Sequence, residues 1–280
     1  VRLAFRHDRC GMDGLILVDK PPGPTSHTVT VGTKRALGVR RAGHAGTLDP
    51  FASGLLLVLV GRARRVQRFL MALPKEYVTV ARYGALSSTG DPEGEITTTG
   101  RIPPADPVLP TGVVRQRPPI YSAVRVQGRK AYERARDGED FEVPERDVTV
   151  YRFEQTRREG DERGEYLIEC SAGTYVRSLI AELGDAYCEE LRRTRIGPWH
   201  VDDADPARVL PLTDALAFLP IVRLDADAGW RAAHGQRVPG EVPDGAEHVL
   251  LVDDDGPVAI AGRAPEEEGT LLKPAVGFRG

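Results

Sequence analysis

"RDVTVYRFEQTRREGDERGEYLIECSA", residues 146–172, decides the fold class, because it reads as two alternating segments folded about a charged turn. Val148 and Val150 before that turn and Tyr166, Ile168 and Cys170 after it recur at every second place, the period of a strand with one buried face. Gly160 and Gly164 lie in the polar stretch between them, where the chain has to reverse. A hairpin this long commits its neighbours to a largely antiparallel sheet.

Outward from the hairpin, "TYVRSLIAELGDAY" (174–187) is expected to be a helix. Upstream, "KEYVTVARYG" (75–84) alternates like a strand, "STGDPEGEI" (88–96) is turn-rich and "RIPPADPVLP" (101–110) is a proline-dense loop. "GLILVDKPPGPTS" (14–26) predicts a strand that breaks at a Pro/Gly turn and hands over to a helix capped by Thr25 or Ser26 and fading near Gly38. "GLLLVLVG" (54–61) is a continuous apolar run of the length of a fully buried strand, and "RARRVQRFLMAL" (62–73) after it has a helical pattern. Strands and helices in this order, with hairpins and no repeating βαβ unit, predict an α+β domain on a mixed, largely antiparallel sheet. Composition shifts around "LPLTDALAFLPIVRLD" (210–225), beyond which "GQRVPG", "HVLLVDDDGPVAIAGR" and "GTLLKPAVGF" predict a small β-rich module. The expected organisation is a non-structural extension over residues 1–11, ahead of a first plausible start at Met12, a main domain over 12–220 and the module over 221–280.

At 280 residues the chain is long enough for a sizeable core, and a hydrophobic fraction of 41% with 28% charged residues is ordinary for a globular protein. No apolar run approaches the roughly 18 residues that span a bilayer. Cys10, Cys170 and Cys188 are far apart, without zinc spacing or an even count, and fit a reducing, cytoplasmic setting. A net charge of −3 argues against a protein that coats nucleic acid by bulk electrostatics. The charge is unevenly spread, since from Ile221 onward 6 basic residues face 11 acidic ones. Basic clusters lie earlier, in "TKRALGVRR" (33–41), "GRARRVQRF" (61–69) and "RVQGRKAYERAR" (125–136). Such clusters are ordinarily solvated helix faces, and only a shared surface would make them a phosphate track. No heptad pattern is visible, so a monomer is expected.

The six histidines form no HExxH or ligand-like pairing, and no P-loop, GxGxxG after a strand or GxSxG elbow occurs, which leaves metal catalysis, nucleotide cradles and serine hydrolysis without support. What stands out is one acid, Asp49, in "RRAGHAGTLDPFASG" (40–54). Asp followed by Pro is most often a turn and nothing more. Against that, Gly43, Gly46 and Gly54 with Ala45, Ala52 and Ser53 leave room for a bulky ligand at the backbone. A carboxylate in an apolar pocket needs a cation to stay ionised, and Arg177 in "GTYVRS" is a candidate. His44 taken singly is a structural or surface histidine by default and Arg177 a surface arginine, and Tyr77 serves equally as a core ring or as an aromatic beside a flat base.

Taken together, "GLILVDKPPGPTS", "GHAGTLDPFASGLLLVLVGRA", "KEYVTVARYG", "STGDPEGE", "RPPIYSAVRVQGRKAYERARDGE", "CSAGTYVRSLIAELG" and "LRRTRIG" resemble, in order from residue 14 to about 197, the TruB family of tRNA pseudouridine synthases. The resemblance implies an isomerase that turns the T-loop uridine at position 55 of tRNA into pseudouridine, without cofactor or metal and without an obligate protein partner. It implies that Asp49 is the nucleophile, that Tyr77 stacks on the target base and that Arg177 pairs with the acid. His44 is implied at the RNA surface, where it helps fill the space the flipped base leaves, and Tyr175 and Lys20 line the site with Gly46 and Thr47 as further substrate-binding residues. The C-terminal module resembles the small PUA-like RNA-binding domain. A second reading is an RNA-binding or tRNA-folding chaperone that does not depend on catalysis. A third is the guide-RNA-dependent branch acting on ribosomal RNA, which the absence of basic tails disfavours.

Overall fold

Strand β1 (Gly14–Lys20) runs into the Pro/Gly turn and then into helix α1 (Ser26–Leu37) in the computed structural model, which describes residues 12–122, 124–264 and 271–279. The extension expected over residues 1–11 lies outside the described residues. The Thr25 hydroxyl accepts the Thr28 N–H at 3.1 Å as the N-cap, and Gly38 ends the helix in the left-handed region at φ 65°. Then follow β2 (Ala42–Ala45), β3 (Ser53–Val60), α2 (Gln67–Ala72), β4 (Lys75–Tyr83), β5 (Gly112–Gln116), β6 (Arg146–Glu159), β7 (Arg163–Cys170), α3 (Val176–Ala181) and β8 (Ala186–Ile196). The main sheet has the order β1-β3-β8-β4-β7-β6-β5, with β2 added to β3 and the short strand Trp199–His200 added to β8. All its ladders are antiparallel except β8 on β3. The β6/β7 hairpin is the one foreseen over 146–172.

The apolar run of β3 is continuous because both of its faces are covered. Leu55, Leu57 and Leu59 join one core with Leu15, Leu17, Phe69 and Trp199, while Leu56, Val58 and Val60 join another beneath Val29 and Leu37 of α1. A third core gathers Tyr77, Ala81, Tyr166, Ile168, Leu179 and Leu191 under α3.

Two expected elements come out differently. The helical pattern over 62–73 divides into a 3₁₀ stretch, Gly61–Val66, and only then α2. Asp13 draws in the Arg62 backbone N–H and guanidinium, both at 2.5 Å, and tethering of that kind tightens the first turns. The helix expected over 174–187 is confined to Val176–Ala181, because Gly184 at φ 127° turns the chain and Ala186 already begins β8.

Beyond Pro220 lie β9 (Ile221–Arg223), α4 (Ala226–Ala233), β10 (Val238–Pro239), β11 (His248–Asp253), β12 (Gly256–Arg263) and β13 (Leu271–Gly277), in a second sheet of order β9-β11-β12-β13-β10. One face of this sheet packs into the first core through Leu250, Val252, Ile260 and Phe278. The other closes over Ala232, Val249, Leu251 and Leu272. Among the described residues no helix is long and apolar enough to cross a membrane.

Candidate active site

The turn between β2 and β3 carries Asp49, and buried polar side chains hold it from three sides. Ser26, the first residue of α1, donates its hydroxyl to Leu48 O at 3.0 Å and accepts the Leu48 N–H at 2.8 Å. Lys20, fully buried at the end of β1, donates to the carbonyls of Pro21, Pro50 and Ala52 at 2.9, 3.1 and 2.6 Å. Arg193 of β8 donates to Gly46 O at 3.0 Å, and Gly46 itself turns through φ 89°. Lys20 therefore anchors the loop from below rather than facing the pocket. Burial lowers its pKa, and the nearby Asp49 charge opposes that shift.

Arg177, on the first turn of α3, is 3% exposed and places Nε 3.0 Å from Asp49 Oδ2. Its Nη1 donates to Asp91 Oδ2 at 2.9 Å and Thr89 O at 2.7 Å, and its Nη2 to Tyr121 O at 3.1 Å. Hydrogen bonds thus fix the guanidinium at both Nη atoms, and its Nε edge is left to face Asp49 as an ion pair. The Asp49 side chain, by contrast, keeps a third of its surface open. Burial raises the Asp49 pKa, Arg177 works against that rise, Asp91 adds to it and Lys20 opposes it. The outcome is an acid shielded by protein, opposed by a fixed cation and open on one side.

That open side is a pocket of about 80 Å³ lined by Thr47, Asp49, Tyr77, Tyr175, Arg177 and Leu191 among others. Tyr77, from β4, forms a wall at 8% exposure. Tyr175 is clamped through its backbone by the buried Gln116, whose side chain donates to Tyr175 O at 2.9 Å and accepts the Tyr175 N–H at 2.8 Å. His44 is not in this pocket. It lines an adjacent groove of about 520 Å³ with His27, Lys34, Arg40, Arg41 and Arg64, so two of the basic clusters seen in the sequence share a surface here. Burial lowers the His44 pKa, helped by the Arg193 charge, which favours the neutral ring. Asp49, Tyr77, Arg177, Tyr175 and Thr47 are brought together, Gly46 and Lys20 support them from beneath, and His44 stands to one side.

Sequence reasoning passed over Asp91, Gln116 and Arg193. Asp91 carried a signal: Gly90-Asp91-Pro92 sets a second acid before proline beside a glycine, the pattern that singled out Asp49. Arg193 carried one only to a reader who had placed a strand there, since within β8 Leu191, Arg193 and Ile196 share the buried face. Burial pushes the Cys170 thiol up to about 11 and the Cys188 thiol up to about 12, so neither is a nucleophile near neutral pH. Among the described residues no group of three or more His, Cys, Asp or Glu is placed to share a metal ion.

A family model described as TruB family pseudouridylate synthase (N terminal domain) matches residues 34–176. The chain is 41% identical over 299 residues to tRNA pseudouridine synthase B of Thermobifida fusca, covering 96% of this chain and 99% of that protein. It is 41% identical over 242 residues to tRNA pseudouridine synthase B of Nocardia farcinica, covering 81% and 77%. Among solved structures it is similar to a chain of a Cbf5-Nop10-Gar1 complex, with a TM-score of 0.71 and 28% identity over 95% of this chain and 84% of that one.

Proposed function

The chain belongs to the TruB family of pseudouridylate synthases and is an isomerase of that kind, and from that premise we propose that its substrate is the uridine at position 55 in the T-loop of tRNA. The observation that carries the proposal is the Asp49–Arg177 ion pair at 3.0 Å inside a pocket walled by Tyr77. Isomerising uridine breaks the N1–C1′ bond, turns the uracil and forms a C5–C1′ bond, after which the C5 hydrogen leaves as a proton and N1 gains one. No electron is gained or lost, so no redox partner is called for. The base has to leave its stack first, at a cost on the order of a few kcal/mol.

In this reading Asp49 is the nucleophile, since a carboxylate can bond covalently and leave again. Arg177 keeps it ionised, and Tyr77 stacks on the base and closes the pocket while it turns. Tyr175 and Thr47 bound the substrate, Gly46 holds the turn beneath them through Arg193, and His44, in its basic groove, meets the RNA where the base has left. The groove supplies the phosphate contacts that the near-neutral total charge does not, and folded RNA is recognised by shape. We assign residues 12–220 to the synthase domain and 221–280 to a PUA-like module, and expect a cytoplasmic monomer.

Tritium release from unmodified tRNA labelled at uridine C5 tests the proposal. Wild type should release tritium, and Asp49→Asn should fall by on the order of 10³-fold or more while tRNA binding survives. Near wild-type release by Asp49→Asn would reject the nucleophile. No release by wild type, with binding intact, would move the weight to an RNA-folding role.

A further inference from the structure

Arg193 is 1% exposed in the middle of the central strand β8, and among the described residues it has no carboxylate partner. Its neighbours behave otherwise: Arg192 pairs with Asp19 at 2.7 Å and Arg195 with Glu169 at 2.6 Å, whereas among the described residues Arg193 has no ion pair. An unpaired buried charge is costly, and an apolar side chain would fill the same place in the sheet more cheaply. Its contacts indicate what the charge does there. Nε donates to Leu55 O at 2.8 Å, in the strand that follows the Asp49 turn, and Nη2 donates to Gly46 O at 3.0 Å, within the turn itself. In the register of β8 against β4, Arg193 stands directly opposite Tyr77, and the guanidinium reaches the Tyr77 phenol. Burial raises the pKa of that phenol, and Arg193 is the strongest influence in the other direction.

One planar fork thus touches the turn that carries the acid, the strand behind it and the ring that walls the pocket. A fork with several fixed donors suits that task where a lysine would not. We propose that Arg193 is a positioning residue of the isomerisation, which fixes the Tyr77 ring against the Gly46–Asp49 turn and so sets the base-stacking face relative to the attacking carboxylate. The proposal rests on the reading of the site as a pseudouridine synthase. Arg193 touches no substrate in it and acts through Tyr77 and the turn.

The test compares wild type with Arg193→Gln in two measurements. One is the single-turnover rate of tritium release from C5-labelled tRNA together with the tRNA dissociation constant. The other is the ¹⁹F spectrum of protein carrying 3-fluorotyrosine, in which the Tyr77 signal among the eight tyrosines is identified by its loss in Tyr77→Phe. Arg193→Gln should slow the single turnover by on the order of 10²-fold, the cost of misplacing reacting groups by about 1 Å, with tRNA affinity unchanged. The Tyr77 signal should shift and broaden while the other tyrosine signals stay in place. An unchanged rate, a slow rate with the Tyr77 signal unmoved, or a loss of tRNA affinity in step with the rate would each overturn the proposal. If Arg193→Gln does not fold, Arg193→Lys, which keeps the charge and loses the fork, is read by the same criteria. Absence of tritium release from wild type would count against the synthase reading itself, while the Tyr77 signal would still report whether Arg193 holds the ring.

Discussion

Asp49 has to be an anion to attack, yet it sits where burial favours the neutral acid. The sign of the resulting pH dependence follows from that. With its pKa above the ordinary carboxylate value, the working form is full above the folded pKa and is lost as pH falls through it. The acid limb of kcat/KM should therefore lie at higher pH than a free aspartate would give. Arg177→Gln removes the strongest influence holding the charge, so in its residual activity the limb should move further up. A wild-type limb at or below the free-aspartate value would show that the site does not hold the acid as described. Asp49 and Arg177 were legible as a pair in the sequence because the glycines around the one and the need for a counter-ion pointed to the other. Arg193 was not, because its charge reads as solvated until its strand is known to have a buried face. Lys20, expected to line the site, proves to be a buried donor to three carbonyls, a role that depends on where the Asp49 turn folds back and that no local pattern reveals.

The hairpin over 146–172 was legible at the level of elements because its second strand alternates without interruption and a glycine-bearing charged turn marks the reversal, even though two register shifts interrupt β6, and the buried strand β3 was legible as an unbroken apolar run. The strand that organises the site was not. Register shifts between Cys188 and Glu190 and between Arg193 and Arg195 break the alternation of β8 twice, and no hairpin turn marks its start, so a period-2 search loses it and the helical pattern before it reads on to residue 187. What β8 demands of its neighbour is visible at Gly54. This residue sits at φ 104° in β3, opposite Arg193 in the one parallel ladder of the sheet, and a Cβ there would collide with the Arg193 backbone. Gly54→Ala should therefore cost about 3 kcal/mol or more, from strained φ and overpacking together, seen as a lowered urea midpoint. It should also lower activity, since the same residue borders the Asp49 turn. A stable, fully active Gly54→Ala would mean that β3 and β8 can separate without disturbing the site.

The composition shift near residue 210 foretold a second unit at the scale of the whole molecule, but not how it is attached. The second sheet does not hang from a linker. Leu250, Val252, Ile260 and Phe278 belong to the same core as Leu15, Leu57, Phe69 and Trp199, His248 meets Phe69 edge-on at 5.0 Å, and Arg62 and Arg65 donate to the carbonyls of Phe278 and Gly277 at 2.6 and 2.9 Å. A core cut between two sheets leaves apolar surface on both, so neither should be stable without the other. The chain holds two tryptophans, Trp199 in the main body and Trp230 on α4, which makes the coupling measurable. In urea, Trp230→Phe reports the main body through Trp199, and Trp199→Phe reports the module through Trp230. With each midpoint corrected for its own substitution by a common circular-dichroism signal, the two should coincide in a single transition. An earlier transition at Trp230 alone would show that the module unfolds by itself and that the shared core adds little. Coincidence would instead mean that the module also braces the main sheet through the apolar core the two sheets share.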